Sequence, residues 1–448
     1  MPRTLHDTPS QRAALRMFVL FLDESVHVDT GPGPSGAELL RLADTLGLEI
    51  VGHASAGRGR RAPSTVIGPG RLAELTEQLA EPAPPGFDAV LVDAQLTPRQ
   101  QLHLEQALGH PVWDRTDVIL RIFEQRAQTR EARLEVELAR LRHDLPRMRQ
   151  ERGADDRRGG GGRGERGHTN VELAKMRARD RIAQLNTELE ELHGRDDDRR
   201  SRRSDAWLVT LAGYTNAGKS TLMRSLSGAD VLAEDKLFAT LGTTVRQLDP
   251  PASPPILVSD TVGFIQNLPH ELVASFRSTL EQARAADLLL VVVDAADPER
   301  EAQYACVLET LNEVLSEERE VLQVFNKVDA LDDNERAALA ERFPEAELVS
   351  ARDPASVARL RARIESIRAH SLEQATVHIP WRDAALVGEL RASATVLAED
   401  HDEQGTLFRV QAASSSLARW SRMPSVTVRF AAAKPDTSGD EKPDQLEL

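Results

Sequence analysis

The sequence predicts a multidomain α/β protein. Three observations carry this: 448 residues are too many for one ordinary domain; short β-branched and leucine-rich runs alternate with segments of helical spacing; and one alternation contains a glycine-rich loop ending in Lys-Ser. The expected order is a small N-terminal α/β domain, an antiparallel helical hairpin, a doubly wound phosphate-loop domain and a small C-terminal α+β domain.

The N-terminal domain is expected over residues 12–121. Phe18–Leu22 and Ala89–Val92 read as buried strands, with Glu49–Val51 as a shorter one. Ala37–Leu48 and Pro98–Leu108 have helical spacing. The hairpin is expected over 122–195. Leu134, Leu138, Leu141, Leu145 and Met148 recur at intervals of four and three, and Ala178, Ile182, Leu185, Leu189 and Leu192 resume the pattern. Pro146 should end the first arm. Between the arms, Arg152–Gly167 is rich in Gly and Arg and reads as a flexible tip. Asp196–Arg203 reads as a charged linker.

The nucleotide domain is expected over 205–370. Its strand runs are Leu208–Leu211, Ile256–Val258, Leu288–Val293, Val321–Phe325 and Glu347–Val349. Residues 376–431 suggest a split β-α-β unit. The acidic stretch 433–448 reads as a disordered tail.

The bulk numbers exclude some classes. No run of about 18 apolar residues occurs, so no membrane span is expected. The N-terminus lacks a signal-peptide pattern. A single cysteine, Cys306, cannot form an intrachain disulfide and reads as a small core residue. Together these suggest a cytoplasmic protein. The net charge of -15 argues against a protein that coats nucleic acid, yet Arg147–Arg181 carries eleven Arg or Lys against six acids. Arg163 and Arg166 at the expected tip are candidates for contact with a phosphate backbone.

Gly213-Tyr214-Thr215-Asn216-Ala217-Gly218-Lys219-Ser220, followed by Thr221, lies between a predicted strand and a predicted helix. That is the context a phosphate loop needs. Backbone N–H groups turn toward one phosphate, Lys219 places a charge on the outer phosphates, and Ser220 can ligate Mg²⁺. Asn326-Lys327-Val328-Asp329 selects the base. A carboxylate at Asp329 can accept from N1–H and N2–H of guanine, whereas adenine offers no donor there. Asn326 can bond the base edge, and the Lys327 stem can lie over the ring. Ser350-Ala351, followed by Arg352, can offer backbone N–H to the guanine oxygen.

Asp260-Thr261-Val262-Gly263 lies between these motifs. Asp260 can hold the Mg²⁺ shell and Gly263 can reach the γ-phosphate. Leu237-Phe238-Ala239-Thr240-Leu241 fits the other switch, with Thr240 as the second Mg²⁺ ligand. Thr243 and Thr244 compete on spacing. Phe264 follows Gly263 where Ras-like enzymes carry a Gln that orients the attacking water. Phe cannot do that, so intrinsic hydrolysis is expected to be slow, with a partner, another loop or a substrate-assisted route positioning the water.

These motifs resemble those of the HflX-type GTPases of the Obg-HflX group. The resemblance extends to Ile67-Gly-Pro-Gly-Arg71, which looks like the family's glycine turn. It extends also to Asp114-Arg115-Thr116, Ile119-Leu120, Ile122-Phe123, Gln125-Arg126-Ala127 and Thr129-Arg130-Glu131, leading into Leu134–Leu138. A hydrophobic residue at position 264 is itself typical of the group. The resemblance implies association with the large ribosomal subunit and its RNA, splitting or rescue of stalled or idle ribosomes in the GTP state, and a hairpin loop that reaches the peptidyl-transferase region. Two departures stand out: the tip run Gly159–His168 lacks the family's proline, and Leu241-Gly242-Thr243-Thr244 replaces its usual Leu-Asp-Pro-Thr. No second phosphate loop is seen, so nucleotide binding by the N-terminal domain is not carried over. Two other classes remain open on the motifs alone: a signalling GTPase acting on a protein effector, and an RNA-remodelling ATPase, which Asp329 disfavours.

Overall fold

A computed structural model describes residues 14–22, 34–56, 62–80, 86–148, 170–201, 206–228, 238, 244–252, 255–261, 263–265, 283–314 and 319–430. The chain divides into two compact units. One comprises Met1–Arg199, Leu208–Arg246 and Val258–Val357; the other comprises Arg200–Trp207, Gln247–Leu257 and Ala358–Leu448.

The first unit opens with β1 (Arg16–Phe21), α1 (Pro34–Leu46), β2 (Glu49–Ser55), α2 (Pro69–Ala80), β3 (Ala89–Val92), α3 (Pro98–Leu108) and β4 (Val112–Trp113). The strands form a parallel sheet in the order β2-β1-β3-β4. Strand alternation sorts β1 onto two cores: Met17, Val19 and Phe21 enter one, Leu20 and Leu22 the other. α3 is set by a reciprocal capping box between Thr97 and Gln100 and stopped by Gly109 in the left-handed region. In the Ile67–Arg71 run, read as a glycine turn, Ile67 and Gly68 lead non-helically into α2, which opens at Pro69, where proline has no N–H to lose.

Then comes α4 (Arg115–Arg126), started by a capping box between Asp114 and Asp117. Ile122 and Phe123, read as the start of the hairpin, belong to this helix and are buried in the main core. The hairpin arms are α5 (Arg130–Asp144) and α6 (Asn170–Ser201). Leu134, Leu138, Leu185 and Leu189 form their seam, with Leu141, Ile182 and Leu192 packed against it. α5 stops just before Pro146, as expected. α6 does not stop at 195: it runs on to Ser201, through six of the eight residues read as a linker. Arg163 and Arg166 lie outside the described residues.

The nucleotide segment contains β5 (Trp207–Gly213), α7 (Lys219–Ser227), β6 (Thr244–Gln247), β7 (Ile256–Asp260), β8 (Leu288–Asp294), α8 (Arg300–Val314), β9 (Val321–Asn326), α9 (Asp333–Arg342), β10 (Glu347–Leu348) and α10 (Pro354–Ser371). Its six strands run in the order β10-β9-β8-β5-β7-β6. β8 is buried on both faces, as a central parallel strand requires. The main core is continuous from the N-terminal sheet into this segment. Met17, Leu39, Leu91, Ile119 and Phe123 share it with Ala212, Tyr214, Phe238, Phe264, Leu289 and Val291. Cys306 is half-buried on α8, its thiol pushed up by burial and away from reactivity.

The second unit carries β11 (Glu373–Pro380), α11 (Leu386–Ser393), β12 (Thr395–His401), β13 (Gly405–Ala412), α12 (Ser414–Ser421) and β14 (Thr427–Phe430). The sheet order is β12-β13-β11-β14, antiparallel throughout. This is the split β-α-β arrangement. Ala375, Val377, Ile379, Phe408 and Val410 form its core with Leu390, Leu417 and Trp420.

Among the described residues, no helix is long and apolar enough to cross a membrane.

Candidate functional site

β5 ends at Gly213 and α7 begins at Lys219, so the eight-residue motif forms the turn between them. The turn demands unusual backbone. Asn216 has φ +62° and Gly218 φ +90°. Gly213 lies against β8: a Cβ there would meet the Val292 carbonyl at 2.2 Å. Lys219 is buried, and its Nζ donates to the carbonyls of Gly213 and Tyr214 at 2.9 Å each. Burial lowers the amine's pKa from 10.5 to about 8, with Asp260 opposing the shift.

The Asp-x-x-Gly segment docks on this loop. Ser220 Oγ donates to Asp260 Oδ2 at 2.8 Å. The Thr215 N–H donates to the Phe264 carbonyl at 2.8 Å, and the Phe264 N–H to the Gly213 carbonyl at 3.1 Å. A Cβ on Gly263 would sit 2.7 Å from Thr215 Cγ2 and 3.2 Å from Lys219 Nζ, so only glycine fits there. Thr261 turns away: its hydroxyl donates to the Leu211 carbonyl. Val262 lies outside the described residues.

The base motif ends β9. Asn326 is buried and bridges two segments. Its Nδ2 donates to the Ala217 carbonyl at 2.8 Å, and its Oδ1 accepts from the Ala351 N–H at 3.1 Å. This is more than the base-edge role read from sequence. It also explains Gly218, where a Cβ would lie 2.2 Å from Asn326 Nδ2. Lys327 has φ +64°, and its Nζ donates to Asp294 Oδ2 at 2.7 Å. Val328 is buried and Asp329 exposed. A hydrogen bond from the Ser350 hydroxyl holds the Asp329 carboxyl below its ordinary range, so it stays ionised and able to accept. The N–H groups of Ser350 and Ala351, read as free for a guanine oxygen, already donate within the protein, to Ser356 Oγ and Asn326 Oδ1. Arg352 is exposed beside them.

The switch segment departs furthest from the sequence reading. Phe238 is buried with φ +55°, its ring edge-on to Phe123 at 4.6 Å. The side chain therefore packs into the N-terminal core and is not available to nucleotide. Leu237, Ala239, Thr240, Leu241 and Thr243 lie outside the described residues; Thr244 opens β6. Phe264 is buried in the same core.

Two residues that sequence reasoning missed complete the surroundings: Asp294, which holds Lys327, and Glu38, which reaches the loop from the N-terminal segment and is held by Arg115 of the Asp114-Arg115-Thr116 run. Tyr214 Oη donates to Glu38 Oε1 at 2.7 Å. Of these two, Asp294 had the signal of a strand end; Glu38 had none.

This arrangement can hold a guanine nucleotide, with phosphates at the loop and base at Asp329. Three family models match in series: GTP-binding GTPase N-terminal over 34–124, GTP-binding GTPase Middle Region over 126–203, and 50S ribosome-binding GTPase over 208–327. The GTPase HflX of Gluconacetobacter diazotrophicus is 44% identical over 419 residues, covering 86% of this chain and 92% of that protein. The chain belongs to the HflX family of GTPases. The GTPase HflX of Escherichia coli is 36% identical over 375 residues, covering 83% of this chain and 87% of its own. Among solved structures, a GTP-binding protein from Sulfolobus solfataricus in complex with GDP aligns at 21% identity with a TM-score of 0.41, over 79% of this chain and 98% of that one. As an HflX GTPase the chain binds and hydrolyses GTP.

Proposed function

We propose that this HflX GTPase acts on the large ribosomal subunit, gripping it in the GTP state and releasing it after hydrolysis. The grip would split or rescue a stalled or idle ribosome. The observation that carries the reading is Phe264. Its ring is buried in the core and its backbone is bonded to Gly213 and Thr215, so nothing at this position can orient an attacking water. A partner must complete the site. The family model over 208–327, described as a 50S ribosome-binding GTPase, supports the ribosome as that partner. The basic run Arg147–Arg181, which covers the stretch between the hairpin arms and the start of α6, would supply charge for ribosomal RNA, with Arg163 and Arg166 as the proposed contacts.

Within the site, backbone N–H groups of Asn216–Ser220 and the Lys219 amine receive the phosphates. Asp329 accepts from the guanine N1–H and N2–H, Asn326 gives a remaining amide hydrogen to the base edge, and the Lys327 stem covers the ring. Ser220 and Asp260 present a hydroxyl and a carboxylate oxygen to each other, a hard-oxygen set suited to Mg²⁺. These two, with Thr240, would hold the ion, which supplies neutralisation of charge across the phosphates.

Co-sedimentation with purified ribosomal subunits tests the proposal. Binding to the large subunit should require GTP or a non-hydrolysable analogue and weaken steeply with salt. Absence of GTP-dependent co-sedimentation at low salt would remove the ribosome from the account. Arg163→Ala with Arg166→Ala should weaken binding without altering nucleotide affinity. If it does not, a signalling GTPase acting on a protein effector becomes the better reading.

A further inference from the structure

We infer that Glu38 is a positioning residue for the phosphate loop, so that GTP and GDP affinity depends on a buried ion pair in the N-terminal segment. Glu38 lies on α1, 176 residues before Tyr214. One carboxylate oxygen accepts from the Tyr214 hydroxyl at 2.7 Å, and the other accepts from Arg115 Nη2 at 2.6 Å. Arg115 Nη1 in turn donates to Asp93 Oδ1 at 2.9 Å and to Ser35 Oγ at 3.0 Å. Glu38, Asp93, Arg115 and Tyr214 are all more than nine-tenths buried. Two carboxylates thus share one guanidinium in a low-dielectric setting, and the Tyr214 hydroxyl satisfies the oxygen left over.

Tyr214 is well placed for such a role. It is the second residue of the loop, its carbonyl accepts from Lys219 Nζ, and it bridges to Phe264 of the Asp-x-x-Gly segment. The loop stores strain, since Asn216 holds a positive φ without being glycine. Such a backbone persists only where its surroundings hold it. Besides Lys219 and the backbone of Phe264, two side chains from beyond the loop do so here: Asn326 grips the Ala217 carbonyl on one side, and Glu38 grips Tyr214 on the other. The second comes from outside the nucleotide segment. The edge-on contact of Phe123 with Phe238 shows the same N-terminal core reaching a switch residue as well. Removing the Tyr214 hydroxyl leaves the fold's ion pairs in place but frees the loop to relax, and nucleotide binding must then re-impose its conformation. This holds whether or not the ribosome is the partner.

Tyr214→Phe is the decisive variant, because it keeps the ring and the Arg115 pairs. With a fluorescent GDP analogue, its Kd should rise about tenfold, the worth of one hydrogen bond to a charged group. The rise should come mainly from faster dissociation. Glu38→Gln should give a loss of the same order, and the double variant should be no worse than the weaker single. An unchanged Kd in Tyr214→Phe overturns the inference. So do losses that multiply in the double variant, which would mean independent effects. If Glu38→Gln does not fold, Tyr214→Phe decides alone.

Discussion

Gly218 has neither the space nor the backbone angle for a side chain, with φ +90° and Asn326 Nδ2 2.2 Å from the position of a Cβ. Gly218→Ala should displace Asn326 from the Ala217 carbonyl and lower GDP affinity by at least about tenfold, read by equilibrium binding. Asp329 makes a different test. Asp329→Asn replaces an acceptor pair by one acceptor and one donor, which mismatches the guanine amino group and matches a carbonyl at the same carbon. Affinity should fall for GTP and rise for xanthosine triphosphate in a competition assay. Lys219 gives a pH signature. In the free protein its pKa is lowered to about 8, and bound phosphates favour the charged amine. Binding therefore takes up a proton above pH 8. GDP affinity should be flat below that value and fall as pH rises through it, by up to about tenfold per unit. Affinity that rises between pH 8 and 9 would contradict this assignment.

At the scale of elements, the hairpin rests on a leucine seam distinct from the main core, with Leu185 fully buried in it. Leu185→Ala should cost about 2–5 kcal/mol, seen as faster amide exchange across α5 and α6. The seam was legible because its spacing repeats over several turns. The phosphate loop and base motif were legible because each is a contiguous run whose chemistry needs those residue types in that order. Other features were not. β4 has two residues and β6 four, too short for alternation to register. Asp196–Ser201 looked like a linker because a run of charged residues carries no apolar periodicity to mark it as helix. Glu38 lay unremarked within the helical spacing of Ala37–Leu48. Its partners lie 77 and 176 positions away, and no local pattern encodes them. Phe238 sat within a switch motif, so its burial against Phe123 was hidden behind its neighbours' roles.

For the molecule as a whole, the N-terminal sheet, α4 and the nucleotide segment share one continuous core, so the nucleotide site is not an independent module. Its loop is held from the N-terminal side at Tyr214, and its Asp-x-x-Gly segment offers a buried Phe264 where a water-orienting group would stand. Both features fit the proposed reading, in which the GTPase binds nucleotide in a prepared loop and an outside group completes the site for hydrolysis. The most direct test is GTP turnover by the full chain with and without purified large ribosomal subunits at low salt. Turnover should rise at least about a hundredfold with the subunits, the scale expected when a missing transition-state group is supplied. A rate that is already fast alone and unchanged by the subunits would contradict the account.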